Sequence, residues 1–289
     1  MNQLYLECYS GISGDMTVAA LLDLGVDQEK LKEILYTLPL SGFSIEISRV
    51  KKSGIDAADF LVKLEEEYEN HDHDMEYLHG HEHGHEHGHK HEHKHGHEHE
   101  HKHDHEAKCL HAHTHNTTHV HRGMKEVLEI INASGMSERA KKTAEEIFTV
   151  LGKAEAKAHA TTLEQVHFHE VGAVDSIVDI AAVAVCLDLL NIEQVIVPFV
   201  CEGSGTVRCQ HGILPIPVPA VANIAAANKI KIKMLPVKGE LITPTGAAIV
   251  AATSTSDQLP ETFRIKKIGI GAGKRDYACT GILRAMIID

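Results

Sequence analysis

Leu4-Tyr5-Leu6-Glu7-Cys8, followed by Ser10-Gly11-Ile12-Ser13-Gly14-Asp15-Met16, decides how this chain is read. The first five residues alternate weakly and predict a strand. The next stretch is a turn, and Asp15 is placed to cap a helix over Met16–Leu24. Asp27 can cap a second helix, Gln28–Thr37. Phe43, Ile45 and Ile47 alternate with Ser44, Glu46 and Ser48, which predicts a strand over Phe43–Val50. A turn at Ser53-Gly54 leads to another strand, Ala57–Leu64. Residues 1–70 therefore read as a small β-α-α-β-β unit.

Residues 122–289 read as a larger mixed domain. Met124–Ile131 has a helical period, and Ser137–Ala160 is a longer helix rich in Ala, Lys and Glu. Val174–Leu190 is nearly all apolar and predicts a helix buried on most sides. Glu193–Val200 is a β-branched run, expected as a buried strand. Proline leads into a helix at Ala220–Ala227, as first turns tolerate. Ile230–Met234 is a short strand, Ala247–Thr253 a helix, and Phe263–Ile270 and Ile282–Ile288 are strands flanking a glycine-rich loop. The fold class is α/β, of the mixed α+β kind.

Between the two units, residues 71–121 hold 21 of the 25 histidines. From His79 to His105 they occupy every second position, with Gly, Glu, Lys and Asp between them. On an extended chain they would share one face at intervals of about 6.6 Å. No apolar surface accompanies them, so the segment is expected to be a disordered insertion that binds metal. Imidazole suits nickel, copper, zinc and cobalt, and many loosely arranged ligands suit storage or delivery. A solubilising insert with incidental metal affinity is the alternative.

The remaining 238 residues suffice for one large or two small domains. Aromatic content is 4% and there is no Trp, so cores must come from Ala, Val, Ile and Leu. A net charge of −13 argues against nucleic acid as a partner. Apolar runs are broken by Asp or Pro, so no membrane span is expected. The six cysteines form no CxxC pair and read as reduced thiols. With strand sequence at the very start, the expectation is a cytoplasmic protein.

Four constellations could carry chemistry. His167-Phe168-His169-Glu170, followed by Asp175 and Asp179, is the densest ligand set outside the tract. His167 and His169 share a face if extended, and Asp175 and Asp179 share a helical face. Two imidazoles with carboxylates can hold a divalent metal, and Glu170 could be a ligand, a base or an orienting partner. The structural alternative has Asp175 capping the helix and the histidines bonded to backbone. Cys201-Glu202-Gly203-Ser204-Gly205, with Cys209 and His211, could hold a phosphate or pass on a soft metal, or be a plain turn. Glu240-Leu241-Ile242-Thr243-Pro244-Thr245-Gly246 feeds a helix N-terminus where Thr243 and Thr245 could meet an anion. Gly269-Ile270-Gly271-Ala272-Gly273-Lys274-Arg275 ends in two cations suited to a phosphate or carboxylate, or to an ordinary hairpin.

The order of G-I-S-G-D-M at Gly11–Met16, H-F-H-E-V-G-A-V-D-S-I-V-D at His167–Asp179, G-I-L-P-I-P-V-P-A at Gly212–Ala220, E-L-I-T-P-T-G-A-A at Glu240–Ala248 and G-A-G-K-R-D at Gly271–Asp276 resembles the LarC family of nickel-insertion proteins. The resemblance spans almost the whole chain. It implies a nickel chelatase, a CTP-dependent cyclometallase of the lyase class. Its substrate would be pyridinium-3,5-bisthiocarboxylic acid mononucleotide, which gains two Ni–S bonds and one Ni–C bond. The product is the nickel-pincer cofactor of lactate racemase. Manganese or magnesium would assist CTP use. Full-length members carry the CTP site on a further C-terminal domain, so this chain is expected to be the nickel-handling half. Partners would be that C-terminal portion, the lactate racemase apoenzyme and a second copy of the chain. The resemblance carries Asp15 over to the site. The residues themselves suggest Glu170 and Asp175 beside it for catalysis, Thr243, Thr245, Lys274 and Arg275 for binding the anionic ligand, and His167, His169, Asp179 and His211 for metal. A non-enzymatic nickel store and a metal-dependent hydrolase remain the competing readings.

Overall fold

Alternate side chains of the first strand point to opposite faces of a sheet. Leu4, Leu6 and Cys8 enter the main core, while Tyr5 joins Ile196, Met286 and Ile288 in a smaller cluster behind it. In the computed structural model, which describes residues 2–65, 122–168, 173–209 and 211–289, this strand is β1 (Asn2–Glu7). It leads into α1 (Gly14–Asp23), α2 (Gln28–Leu35), β2 (Phe43–Lys52) and β3 (Ile55–Leu64). The His-rich insertion expected at 71–121 lies outside the described residues. Beyond it come β4 (Arg122–Gly123), α3 (Met124–Ala133), α4 (Glu138–Ala158), β5 (His167–Phe168), α5 (Val174–Leu189) and β6 (Ile192–Ile196). Then follow β7 (Val200–Ser204), β8 (Thr206–Cys209), β9 (Gly212–Pro215) and α6 (Pro219–Asn228). The last elements are β10 (Ile232–Lys238), α7 (Pro244–Thr253), β11 (Ile265–Ala272) and β12 (Ile282–Ile288).

A mixed six-stranded sheet in the order β2-β3-β11-β12-β1-β6 organises the chain. Strands from residues 1–70 and from 122–289 interleave in it: β1 lies between β12 and β6, and β3 runs parallel to β11. The expected boundary at the tract divides the sequence and does not divide this sheet. β1 and β6 are parallel, and β12 is antiparallel to both β1 and β11. The carboxyl ends of β1, β6 and β11 thus open on one edge of the sheet.

Helix α1 lies so close to β11 that glycine is required. A Cβ at Gly269 would meet the Ala20 carbonyl, and one at Gly271 the Met16 carbonyl. These two glycines serve helix–strand packing and belong to the strand, not to the ligand loop expected over Gly269–Arg275. The apolar helix α5 is buried along Ile177, Val178, Ile180, Ala181 and Val183, as its composition predicts. Truncating Ile177 or Ile180 to Ala would cost about 2–5 kcal/mol.

Two other expectations are corrected. The run Glu193–Val200 is not one strand: β6 ends at Ile196, Pro198 interrupts it, and Val200 starts β7, which pairs with β10. Cys201-Glu202-Gly203-Ser204 is that buried strand, not a phosphate loop, and the Gly203 N–H donates to Glu202 Oε1 (2.8 Å).

Candidate functional site

The open edge gathers four of the five sequence motifs. The turn after β1 pairs with the Leu241–Thr243 segment: Ile12 N donates to Leu241 O (3.0 Å) and Thr243 N to Ile12 O (3.1 Å). Close approach makes two glycines necessary, since a Cβ at Gly11 would meet the Leu241 carbonyl and one at Gly246 the Ile12 carbonyl. Helix α5 enters from the other side. A Cβ on Gly14 would stand 2.6 Å from Asp179 Oδ2, so only glycine lets that carboxylate reach the start of α1. The loop after β11 then brings Lys274.

Ser13, not Asp15, caps α1, its hydroxyl accepting from Met16 N (3.5 Å). Asp15 sits in the first helical turn with the Ser13 hydroxyl donating to its Oδ1. The Asp15 backbone N–H donates to the Asp179 carboxylate. Asp175 occupies the first turn of α5, and Asp179 lies one turn further on. Lys274 pairs with Asp59 of β3, and its positive charge acts on both Asp15 and Asp179.

Burial pushes the Asp179 carboxyl well above the usual carboxylate range, and the negative charges of Asp15 and Asp175 push it further. Lys274 and the Asp15 N–H oppose that rise without cancelling it. Asp15 is raised for the same first reason, against the Ser13 hydroxyl and Lys274. Two enclosed acids of this kind bind a proton or a cation readily.

The remaining candidates are placed as follows. His167 lies in β5, paired with Gly123, and only its backbone is described. His169 and Glu170 lie outside the described residues. Thr243 caps α7, its hydroxyl accepting from Gly246 N (3.1 Å), and Thr245 is buried. Because Pro244 has no N–H and the Gly246 and Ala247 N–H groups are bonded to Thr243, few donors remain there for a phosphate. Arg275 pairs with Glu240 (2.9 Å) and approaches the Tyr277 hydroxyl (3.3 Å). His211 is at the β8–β9 hairpin, its ring 4.8 Å from that of His159. Among the described residues no three His, Cys, Asp or Glu side chains surround a common point as a metal shell.

Sequence reasoning missed Ser13, Asp59 and Glu202. Glu202 is wholly buried in β7, where Oε1 accepts from Gly203, Leu241 and Ile242. Its signal in the sequence is a lone acid inside the apolar strand Val200–Ser204. None of the described cysteines forms a disulfide, and no described helix is long and apolar enough to cross a membrane.

A family model described as "Nickel insertion protein" matches residues 4–289. The pyridinium-3,5-bisthiocarboxylic acid mononucleotide nickel insertion protein of Alkaliphilus metalliredigens is 51% identical over 100% of this chain and 61% of its own. The protein of the same name from Clostridium acetobutylicum is 44% identical over 99% of this chain and 64% of its own. That of Geobacillus kaustophilus is 38% identical over 96% and 57%. The chain thus spans about three-fifths of the length of these relatives. No solved structure matches. The chain belongs to the nickel insertion protein family.

Proposed function

We propose that this chain carries out the nickel-handling part of nickel insertion into pyridinium-3,5-bisthiocarboxylic acid mononucleotide. The observation that carries this reading is the Asp15–Asp179 pair. Two family motifs far apart in sequence place enclosed carboxylates on each other at the open edge, with one nearby cation already engaged by Asp59. In open sheets, ligands bind beyond the carboxyl ends of parallel strands, where this pair lies.

His167, His169 and Asp179 take nickel, the metal being a substrate of the reaction. His211 is a further nickel ligand. Asp15, Glu170 and Asp175 serve the chemistry. Forming a Ni–C bond at a ring carbon releases one proton, and a carboxylate made more basic by burial is a suitable acceptor. Lys274 and Arg275 face the anionic groups of the nucleotide, exchanging Asp59 and Glu240 for them. Thr243 and Thr245 act by shaping the loop that meets the Gly11 turn. CTP, with manganese or magnesium, belongs to a C-terminal portion supplied in cis or in trans. The α7 N-terminus, with its proline and its bonded N–H groups, does not fit a triphosphate. The lactate racemase apoenzyme would receive the product. A cytoplasmic location and a self-association of the chain complete the proposal.

The test is nickel transfer to the purified precursor, with and without the C-terminal portion and CTP. Product formed only when this chain is present supports the reading. Product formed equally by the C-terminal portion alone overturns it. A nickel store would bind the metal and leave the precursor unchanged.

A further inference from the structure

The chain leaves β11 at Ala272 and enters β12 at Ile282, and the loop between them carries Lys274, Arg275, Asp276 and Tyr277 in succession. Gly273 N donates to Gly281 O (2.9 Å) and closes the loop at its neck. Two sheets hold it. On one side Lys52, at the end of β2, donates to the Asp276 carboxylate (2.6 Å) and to Arg275 O (3.4 Å). On the other side the Tyr277 ring lies on Gly239, just past the end of β10. A Cβ at Gly239 would fall inside that ring's van der Waals surface, against Cε1. Gly239 has a φ of +127°, which glycine alone adopts readily, and its N–H donates to Ser204 O (3.1 Å) at the end of β7. The Tyr277 hydroxyl accepts from Arg275 Nη1 (3.3 Å), the same nitrogen that reaches Glu240 Oε2 (2.9 Å).

We propose that Tyr277, seated on Gly239, is the positioning residue for Lys274 and Arg275. What these cations bind rests on the function proposed above, whereas how they are held rests on the contacts alone. Long cationic side chains lose rotamer freedom when they bind an anion, and a backbone already fixed beneath them lowers that cost. The ring supplies the fixed point two residues after Arg275, on the side of the loop that Lys52 does not reach. A side chain at position 239 would take the ring's place, so the seat needs glycine. The hydroxyl has a separate effect. When Arg275 exchanges Glu240 for an anionic group of the nucleotide, the hydroxyl stays with the guanidinium as a neutral acceptor and does not compete with the incoming charge. Tyr277 thus acts through Arg275 and Lys274 and not on the substrate itself.

The test uses the full chain as Tyr277→Ala, Tyr277→Phe and Arg275→Gln beside the parent. Brief trypsin treatment, read by mass, follows cleavage after Lys274 and Arg275, which depends on how often the loop opens. Rates are taken relative to the same bonds in the denatured chain, which removes the effect of local sequence. Tyr277→Ala is expected to be cut there at least about 5-fold faster than the parent, and Tyr277→Phe, which keeps the ring, at about the parent's rate. A loop cut no faster in Tyr277→Ala than in the parent would show that the ring is not the seat, and the proposal would fall. Nickel transfer to the purified precursor, with the C-terminal portion and CTP present, reads the hydroxyl. Loss of one hydrogen bond to a charged group in Tyr277→Phe is expected to raise KM for the precursor about 5-fold or more and to leave kcat unchanged. A merely structural tyrosine would lower the melting temperature without that split. If Arg275→Gln raises KM and Tyr277→Phe does not, the hydroxyl does not position Arg275 and the proposal is overturned. If Arg275→Gln leaves KM at the parent's value, the placing of Arg275 on the nucleotide fails instead, and the tryptic rates alone decide the seat.

Discussion

Glu202 and Asp179 are both acids enclosed by protein, yet their surroundings treat them in opposite ways. At Glu202 one oxygen receives three backbone N–H groups, and these offset much of the cost of burial that raises the group. Its neighbour Glu240 is matched by Arg275. That region joins β7 to the loop before α7, and it satisfies one oxygen of Glu202 while Oε2 is buried with no hydrogen-bond partner among the described residues. At Asp179 the neighbours are more acids, Asp15 and Asp175, and the Lys274 charge that acts on it is shared with Asp59. Acid in excess at Asp179, with no three backbone donors of the kind that Glu202 has, is what the proposed nickel-handling role would require of that place. The excess costs stability, as functional sites commonly do.

The largest expected effect separates the two regions. Asp179→Asn should slow nickel insertion by at least about 100-fold, the scale on which precisely placed charge acts. It should also raise the melting temperature, because it removes an enclosed negative charge beside two others. Rate and thermal melting measured on one preparation check this. Loss of rate together with loss of stability would mean that Asp179 is only a structural acid. Glu202→Ala should behave inversely. It strips three buried N–H groups of their acceptor and should cost about 2 kcal/mol or more in a denaturant titration. Glu202→Gln keeps an acceptor and should cost about 1 kcal/mol or less. Comparable losses in both variants would show that the three N–H bonds do not hold that loop.

Much of the fold was legible in the sequence, for particular reasons. The apolar helix Val174–Leu189 and the strand Ile282–Ile288 have one-dimensional signals that survive folding. The break after Ile196 did not, because β-branched residues continue past the point where the chain changes sheets. Strand order was not legible either, since β1 finds its partners at the far end of the chain. At the site, the motifs marked Asp15, Asp175 and Asp179. Only the three-dimensional structure shows that Gly14 exists to admit Asp179, or that Ser13 takes the capping role from Asp15.

That role of Gly14 gives a prediction of intermediate size. Gly14→Ala puts a methyl group 2.6 Å from Asp179 Oδ2 and must push α5 or the carboxylate aside. Overpacking of this kind costs about 1–3 kcal/mol. The displaced acid should also slow insertion, and Gly14→Ala combined with Asp179→Asn should be no slower than Asp179→Asn alone. A further loss of rate in the double variant would show that Gly14 acts on something other than Asp179.

Stability against pH sharpens the same contrast. Asp15 and Asp179 are raised in the folded chain, whereas in the unfolded chain they ionise near pH 4. As pH rises above that point the unfolded state loses protons that the folded state keeps, so stability falls until the folded carboxyls ionise too. Asp179→Asn should flatten that fall. A melting temperature that changes equally with pH in parent and variant would remove Asp179 from the account.

The smallest effect concerns Lys274. Its pair with Asp59 is partly exposed, so Lys274→Gln should change stability by less than about 1 kcal/mol. Its influence on rate is of another kind. Lys274 is the positive charge that holds down both Asp15 and Asp179, and without it both should keep their protons to higher pH. If one of them must be ionised to accept a proton or a metal ion, the rising limb of the rate against pH moves upward in the variant. Rates near neutrality then fall, and much of the loss returns at alkaline pH. An unshifted limb would mean that Lys274 serves only the substrate's anionic groups, and a limb moved downward would contradict the charge arrangement itself. Because the amide keeps the bulk of a polar side chain but not its charge, this one substitution reads the electrostatic link between the loop after β11 and the acids of α1 and α5.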